Sequence, residues 1–196
     1  MKTRPYHHGD LRSVLLTLAE VTLRDRGAGE LSLRELAREA GVSPAAPSRH
    51  FKSKQTLLDA LAMEGFHRLS GAMTGALEQT GDSFADRLAA LVRTYLGFAG
   101  ANAALLELMF ARKHDPTASA ELIASMQGLA SMVTKLIEDG QRRGEVRAGE
   151  VELLAVPLIA VLQGLTTLAL NGGVKAELVE QGIEETIAFL LRGYAC

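Results

Sequence analysis

The sequence predicts an all-α protein of about nine helices, with an N-terminal three-helix unit followed by a longer helical body. Three observations predict it. Apolar residues recur three and four positions apart along most of the chain, the spacing of one helix face. Only five prolines occur, and no long β-branched alternation reads as a sheet. Glycine-bearing breaks near residues 27–29, 41, 81, 140–149 and 171–173 punctuate the periodic stretches.

Residues 1–8 form a short arm with Lys2 and Arg4, which either lies along a nucleic-acid backbone or is disordered. Helix 1 is expected from near Asp10 to about Arg26, with Leu11, Val14, Leu15, Leu18, Ala19, Thr22 and Leu23 on its buried side. Ser32-Leu33-Arg34-Glu35 reads as a capping box opening helix 2, whose apolar face is Leu33, Leu36, Ala37 and Ala40. Gly41 follows the last periodic residue, where a helix often ends in a left-handed conformation. Ser43 is expected to cap helix 3, with Pro44 in its first position. Two short helices joined at a glycine turn, with small Ala37 and Gly41 at the crossing, have the shape of a helix-turn-helix. Pro47 complicates helix 3: either the helix starts late or it is slightly distorted. Helix 4, capped by Ser53, runs from Lys54 to about Leu77 and links the head to the body.

The body begins near Ser70. Ser83-x-x-Asp86 caps helix 5, which carries Phe84, Leu88, Leu91, Val92, Tyr95, Leu96 and Phe98. Asn102 is expected to cap helix 6 (103–113), and Asp115-Pro116 to start helix 7, ending near Asp139. Helix 8 spans 150–170 and helix 9 about 175–192, separated by Asn171-Gly172-Gly173. Helix 8 is the most apolar stretch. A membrane span needs ~20 apolar residues without charge, whereas Glu152, Pro157 and Gln163 interrupt this one. It is expected to be buried in the core, in a dimer interface, or both.

The net charge is −2, unevenly spread: residues 1–55 carry +4 and residues 56–196 carry −6. A basic head on an acidic body suits a nucleic-acid partner. The single cysteine, Cys196, permits no internal disulfide, and the N-terminus lacks an apolar signal core, so a cytoplasmic location is expected. Catalysis is not expected. Glu64-x-x-His67 occurs once, whereas di-iron bundles need two such pairs with further glutamates. His7-His8 lies in the arm, and no cysteine cluster, phosphate loop or nucleophile triad is present. No metal or cofactor is expected.

The run LSLRELAREAGVSPAAPSRHFKSKQTLLDAL (31–61), preceded by Tyr6-His7-His8-Gly9-Asp10-Leu11-Arg12, resembles the DNA-binding motif of the TetR family of transcriptional regulators. The close match covers about residues 6–65. The resemblance implies a DNA-binding domain over 9–69, with its motif at 32–51, and an effector-binding and dimerisation domain over 70–196. It implies DNA contacts by Arg34, Ser43, Pro44, Ala45, Ala46, Ser48, Arg49, His50 and Lys54. Pro44, Ala45 and Ala46 suit thymine methyls, Arg34 a guanine edge or a phosphate, and Ser48, His50 and Lys54 phosphate oxygens. The family often has tyrosine where Ser48 stands, so reach to the backbone is shortened here. Arg34, Arg49 and DNA shape are then left to carry much of the specificity.

The resemblance also implies a homodimer through helices 8 and 9 on a near-palindromic double-stranded operator, and a small apolar or aromatic effector that releases DNA. Dimer candidates on helix 8 are Leu158, Val161, Leu165 and Leu168; on helix 9 they are Leu178, Ile183, Ile187, Leu190 and Leu191. Candidate pocket walls are Tyr95, Phe98, Leu106, Met109, Phe110, Met126, Leu129, Met132 and Leu162, because methionines and aromatics adapt to varied ligands. Polar candidates are His67, Asn102, Gln163 and Thr166, with Gln127 beside them. At any single wall position plain core packing is the commoner role of such a residue, because buried apolar side chains need no ligand. Tyr95–Ala99 and Leu108–Phe110 echo the layout of a subgroup marked by Trp-His-Gly, but Leu162 and Gln163 stand where the Trp and His would be. The alternative reading is a helical ligand- or partner-binding protein with weak or lost DNA affinity.

Overall fold

The structure, a computed structural model, describes residues 11–170, 173 and 175–195. The arm with Lys2 and Arg4, the start at Asp10, His7-His8, the stop at Asn171-Gly172 and Cys196 lie outside the described residues. Among the described residues there are nine α-helices, two short 3-10 turns and no strand. The helices are α1 (Leu11–Arg26), α2 (Leu33–Glu39), α3 (Lys54–Glu78), α4 (Phe84–Ala101), α5 (Ala103–Lys113), α6 (Ala120–Arg142), α7 (Val151–Leu170), α8 (Ala176–Gln181) and α9 (Ile183–Tyr194).

The chain forms two compact units that no single cut separates. Among the described residues, 11–65 and 104–123 form the first, and those within 66–103 and 124–195 form the second. In the first, α1 buries Leu15, Ala19 and Leu23, α2 buries Leu36 and Ala37, and α3 buries Leu57 and Leu61. From later in the chain, α5 adds Leu105, Leu106, Leu108 and Met109, and the first turn of α6 adds Leu122. At Gly65 the α3 backbone meets α5: a Cβ there would lie 2.5 Å from Met109 Sδ.

In the second unit, α4 buries Leu88, Leu91, Val92 and Tyr95, α6 buries Leu136 and Ile137, and α7 buries Leu154, Leu158 and Leu162. Tyr194 of α9 ties this core together. Its ring meets Phe84 edge to face at 5.3 Å, and its hydroxyl donates to the Leu154 carbonyl at 2.7 Å. Burial holds the Tyr194 phenol above its ordinary pKa. Glu145 accepts the Phe84 N–H at the start of α4, which holds its carboxyl below the usual range. By length and composition α7 is apolar enough to cross a membrane; here Leu154, Leu158 and Leu162 pack it into the unit.

Several local expectations are corrected. At helix 3 the expected distortion at Pro47 is present and goes further than expected: residues 44–46 form a turn, and Pro47–Arg49 a single 3-10 turn in place of an α-helix. Pro47 has no N–H for the Ser43 carbonyl, so that carbonyl accepts from Ala46 instead, at 2.9 Å. Ala46 nevertheless keeps helical angles (φ −64°, ψ −43°), because Pro47 and Phe51 are both held in the core. The capping box at Ser32 is not made: no side-chain cap forms there, and Glu35 faces Arg38 at 3.4 Å. The Asn102 amide turns back onto the Phe98 carbonyl at 3.0 Å, closing α4 rather than opening α5. Helix 7 begins at Ala120 instead of Pro116, since Asp115 accepts from the Thr117 N–H and hydroxyl in a tight turn. The last helix breaks at Gly182 (φ −83°, ψ −2°), the residue type that gains least from a helical backbone after proline.

Candidate nucleic-acid interface

The turn after α2 is built as the sequence suggests. Gly41 adopts φ +69°, its N–H bonds the Arg38 carbonyl at 3.2 Å, and the Val42 N–H bonds the Ala37 carbonyl at 3.0 Å. This pair of bonds is a Schellman closure, and only glycine takes the left-handed angle at little cost. It redirects the chain so that Ser43, Pro44, Ala45, Ser48, Arg49 and His50 are exposed, while Ala46 is half-buried. Pro47 and Phe51 face inward beneath them. The short segment is therefore pinned by its apolar side and open on its polar side.

Arg34, exposed on the first turn of α2, and exposed Arg49 have no ion pair among the described residues. Both cations are free to meet an anion. Arg38 and Arg26 are engaged by Glu35 and Glu39, each at 3.4 Å. Two groups escaped the sequence reading. The Arg12 guanidinium lies 5.6 Å from the centre of the Phe51 ring, a cation–π contact joining α1 to the reading segment. Lys52 is exposed beside Ser53.

The start of α3 is a reciprocal cap. Ser53 Oγ accepts the Thr56 N–H at 3.2 Å, and Thr56 Oγ1 accepts the Ser53 N–H at 3.1 Å. The Ser53 amide is thus used internally, and the Lys54 and Gln55 amides remain for a phosphate. Lys54 itself is half-buried and donates to the Gly29 carbonyl at 2.6 Å.

The expected pocket residues divide between the units. Leu106 and Met109 are fully buried in the first, where Phe110 is partly exposed. In the second, Tyr95, Leu162 and Thr166 are buried, whereas Phe98, Asn102, Met126, Leu129, Met132 and Gln163 are partly exposed. His67 is exposed, with Nε2 3.2 Å from Ser125 Oγ. The Tyr95 hydroxyl is buried beside Thr166 with no well-formed hydrogen bond; Thr166 gives its own proton to the Leu162 carbonyl at 2.9 Å and can only accept from Tyr95. Burial pushes the Tyr95 phenol up to about 12, with Thr166 pulling weakly the other way. Thr166 lines a cleft of about 230 Å³ with Leu96, Gly97, Gly100, Val179 and Ile183.

Of the expected dimer residues, Leu158, Ile187 and Leu190 are buried within the chain, and Val161, Leu165, Ile183 and Leu191 are partly exposed. Leu168 and Leu178 are exposed. So are Leu153, Val156 and Phe189, which the sequence reading passed over; Leu153 is 66% and Phe189 61% exposed. Among the described residues no group of three or more His, Cys, Asp or Glu side chains is placed to hold a metal.

Comparison with known proteins places this geometry. Residues 15–61 match the family described as bacterial regulatory proteins, tetR family, and residues 88–194 match the Tetracyclin repressor-like, C-terminal domain. The chain is 40% identical to a protein of unknown function from Rhodococcus sp. RHA1, with a TM-score of 0.89, covering 99% of this chain and 100% of that one. FadR from Bacillus subtilis, solved in complex with stearoyl-CoA, shares the fold at 18% identity and a TM-score of 0.79, covering 93% of this chain and 98% of that one. The HTH-type transcriptional regulator Rv1816 of Mycobacterium tuberculosis is 31% identical over 101 residues, 51% of this chain. That match spans only 43% of the length of Rv1816. The HTH-type transcriptional activator FasR of Mycolicibacterium smegmatis is 26% identical over 184 residues, 93% of this chain and 82% of FasR. With a matching C-terminal profile over more than half its length and a matching head, this chain belongs to the TetR family of helix-turn-helix transcriptional regulators.

Proposed function

We propose that this protein is a ligand-released repressor that binds a near-palindromic operator as a homodimer in the cytoplasm. The observation that carries the reading is the pinned segment after Gly41, which exposes Ser43, Pro44, Ala45, Ser48, Arg49 and His50 beside an unpaired Arg34. Ala46 and Lys54 complete the proposed contact set. Residues 9–69 are the proposed DNA-binding domain and 70–196 the effector and dimer domain. Helix-turn-helix dimers read half-sites about one helical turn, ~34–36 Å, apart. The exposed Leu153, Val156, Leu168, Leu178 and Phe189 extend the proposed dimer face on α7 to α9.

An apolar or aromatic effector is supported by the buried apolar lining around Tyr95 and Leu162, and by the stearoyl-CoA held by FadR. Repression is the commoner mode in the family, whereas FasR is a relative named as an activator. A second reading, a helical ligand- or partner-binding protein without DNA affinity, draws on the shortened reading segment at Pro47 and on Ser48. A gel-shift titration against the DNA upstream of the protein's own gene separates the two. The expected result is a dimer-sized shift that survives non-specific competitor and weakens steeply with salt. Absence of a shift, or equal binding to competitor, sinks the regulator reading.

A further inference from the structure

The deepest charge in the first unit is a guanidinium. Arg112, on the last turn of α5, is 3% exposed, and Asp59, two turns into α3, is 7% exposed. Arg112 Nε donates to Asp59 Oδ1 at 2.7 Å, Nη2 lies 2.6 Å from the same oxygen, and Nη1 donates to Asp115. The other Asp59 oxygen accepts the Ser119 N–H at 3.2 Å. Asp115 also accepts from the Gln55 side chain, Nε2, at 3.3 Å and from Thr117. These bonds hold the Asp115 carboxyl below its ordinary range, Thr117 first and Arg112 after it.

Three segments therefore join in one network: Asp59 of α3 and Asp115 of the α5–α6 corner both meet Arg112 of α5, while Gln55 binds Asp115 and the Ser119 N–H binds Asp59. A buried ion pair stabilises little relative to well-packed apolar residues. What a guanidinium fork supplies is geometry, because its donors lie in one plane and fix distance and angle together. The bonds act where position matters. Gln55 lies in the first turn of α3, next to the amides open to a phosphate, and that turn follows directly on the reading segment. At the far side of the contact, the α3 backbone at Gly65 lies against the Met109 side chain, where a Cβ would come within 2.5 Å of Sδ.

We infer that Asp59, Arg112 and Asp115 form a positioning clamp for DNA reading: the α5–α6 corner sets the amino end of α3, and operator affinity depends on it although none of the three touches DNA. This rests on the proposed DNA binding, and the test keeps the two apart. The full chain is compared with a charge-free double variant, Asp59→Leu with Arg112→Met, which leaves no buried charge unpaired. A milder Asp115→Asn variant loosens only the partly exposed arm of the clamp.

The probe is the upstream duplex. The double variant is expected to melt within a few degrees of wild type yet bind about tenfold more weakly, with an unchanged slope of log K against log salt. Asp115→Asn is expected to stay folded and lose affinity a few-fold. A slope reduced by about one would make Arg112 a phosphate contact and overturn the inference. Unchanged affinity in both variants would reduce the clamp to core packing and overturn it as well. Amide exchange over residues 43–60, measured without DNA, is expected to quicken in both variants relative to α1; equal exchange also overturns the clamp. A wild-type chain that shifts no duplex sinks the proposed function alone, because the exchange arm still judges the clamp.

Discussion

The two units bury polar side chains in different ways. In the first, Arg112 and Asp59 are deeply buried and meet one another, Asp115 and a backbone N–H; Arg112 Nη2, 2.6 Å from Asp59 Oδ1, is the one donor of the group without a well-formed hydrogen bond. In the second, Tyr95 is 6% exposed and its buried hydroxyl has only a weak contact with Thr166. A network of several bonds fixes one arrangement, whereas a single weakly held hydroxyl can turn to water or a guest. The unit that presents the reading segment thus carries the multiply bonded network. The unit proposed to take an effector carries the weakly held hydroxyl. Variants at these groups test whether the contrast is real.

The largest effect falls on Arg112. Arg112→Ala leaves Asp59 buried without its cation, and the expected loss is about 3–5 kcal/mol of folding stability, measured by urea unfolding. A loss below about 1 kcal/mol would mean that water reaches Asp59 freely, and the contrast between the units would fail.

Close packing gives the next test, with the contrast reversed. A Cβ on Gly65 would meet Met109 Sδ at 2.5 Å, and a Cβ on Gly140 would meet Val146 Cγ2 at 2.5 Å and Phe84 Cδ2 at 2.9 Å. Methionine has three rotatable bonds and can swing away; a β-branched valine against a ring cannot. Both glycines are inside helices, so alanine gains about 1 kcal/mol of helix preference at each. Overpacking costs about 1–3 kcal/mol. Gly65→Ala is expected to be near neutral and Gly140→Ala clearly destabilising, by thermal unfolding of the two variants side by side.

Tyr95→Phe removes the weakly held buried hydroxyl and is expected to raise stability by about 1 kcal/mol at neutral pH. The same group gives a pH test. Its folded-state phenol is raised to about 12 from 10.0. The neutral form is favoured in the folded chain, so this stability is intact below pH 10 and is lost as pH rises from 10 toward 12. Wild type is expected to lose stability relative to Tyr95→Phe between pH 9 and 11.5; Tyr194, present in both, cancels. Parallel curves would mean that the hydroxyl is solvated.

What could be read from the sequence was local. Ala37 to Val42 announced their turn because the glycine, the small residue before it and the helix end lie within six positions. The caps at Ser53 and Ser83 were legible for the same reason. Arg112 and Asp59 were not, since their meeting is set by packing and no spacing encodes it. Asp115-Pro116 looked like a helix start, but the Asp115 carboxylate is engaged by Thr117 and Arg112, so the helix waits until Ala120. Helix α7 is apolar nearly all round, so periodicity could not say that Leu158 turns inward and Leu153 outward. Leu106 and Met109, buried in the first unit, look the same in sequence as residues lining a cavity.

The smallest effect separates two serines with the same motif. Ser32-x-x-Glu35 and Ser83-x-x-Asp86 both read as caps, yet only Ser83 accepts its N–H, from Asp86 at 3.1 Å. Ser83 precedes an α4 whose first N–H is already held by Glu145, so its backbone is fixed and the cap geometry is kept. Ser32 opens a seven-residue helix whose Glu35 is turned to Arg38. A cap that is made contributes about 1 kcal/mol, and one that is not made contributes almost nothing. Ser83→Ala is therefore expected to lower the melting temperature measurably and Ser32→Ala to leave it unchanged. Equal losses would mean that Ser32 caps α2 in solution, bringing a surface polar group of the first unit into the same satisfied state as its buried ones.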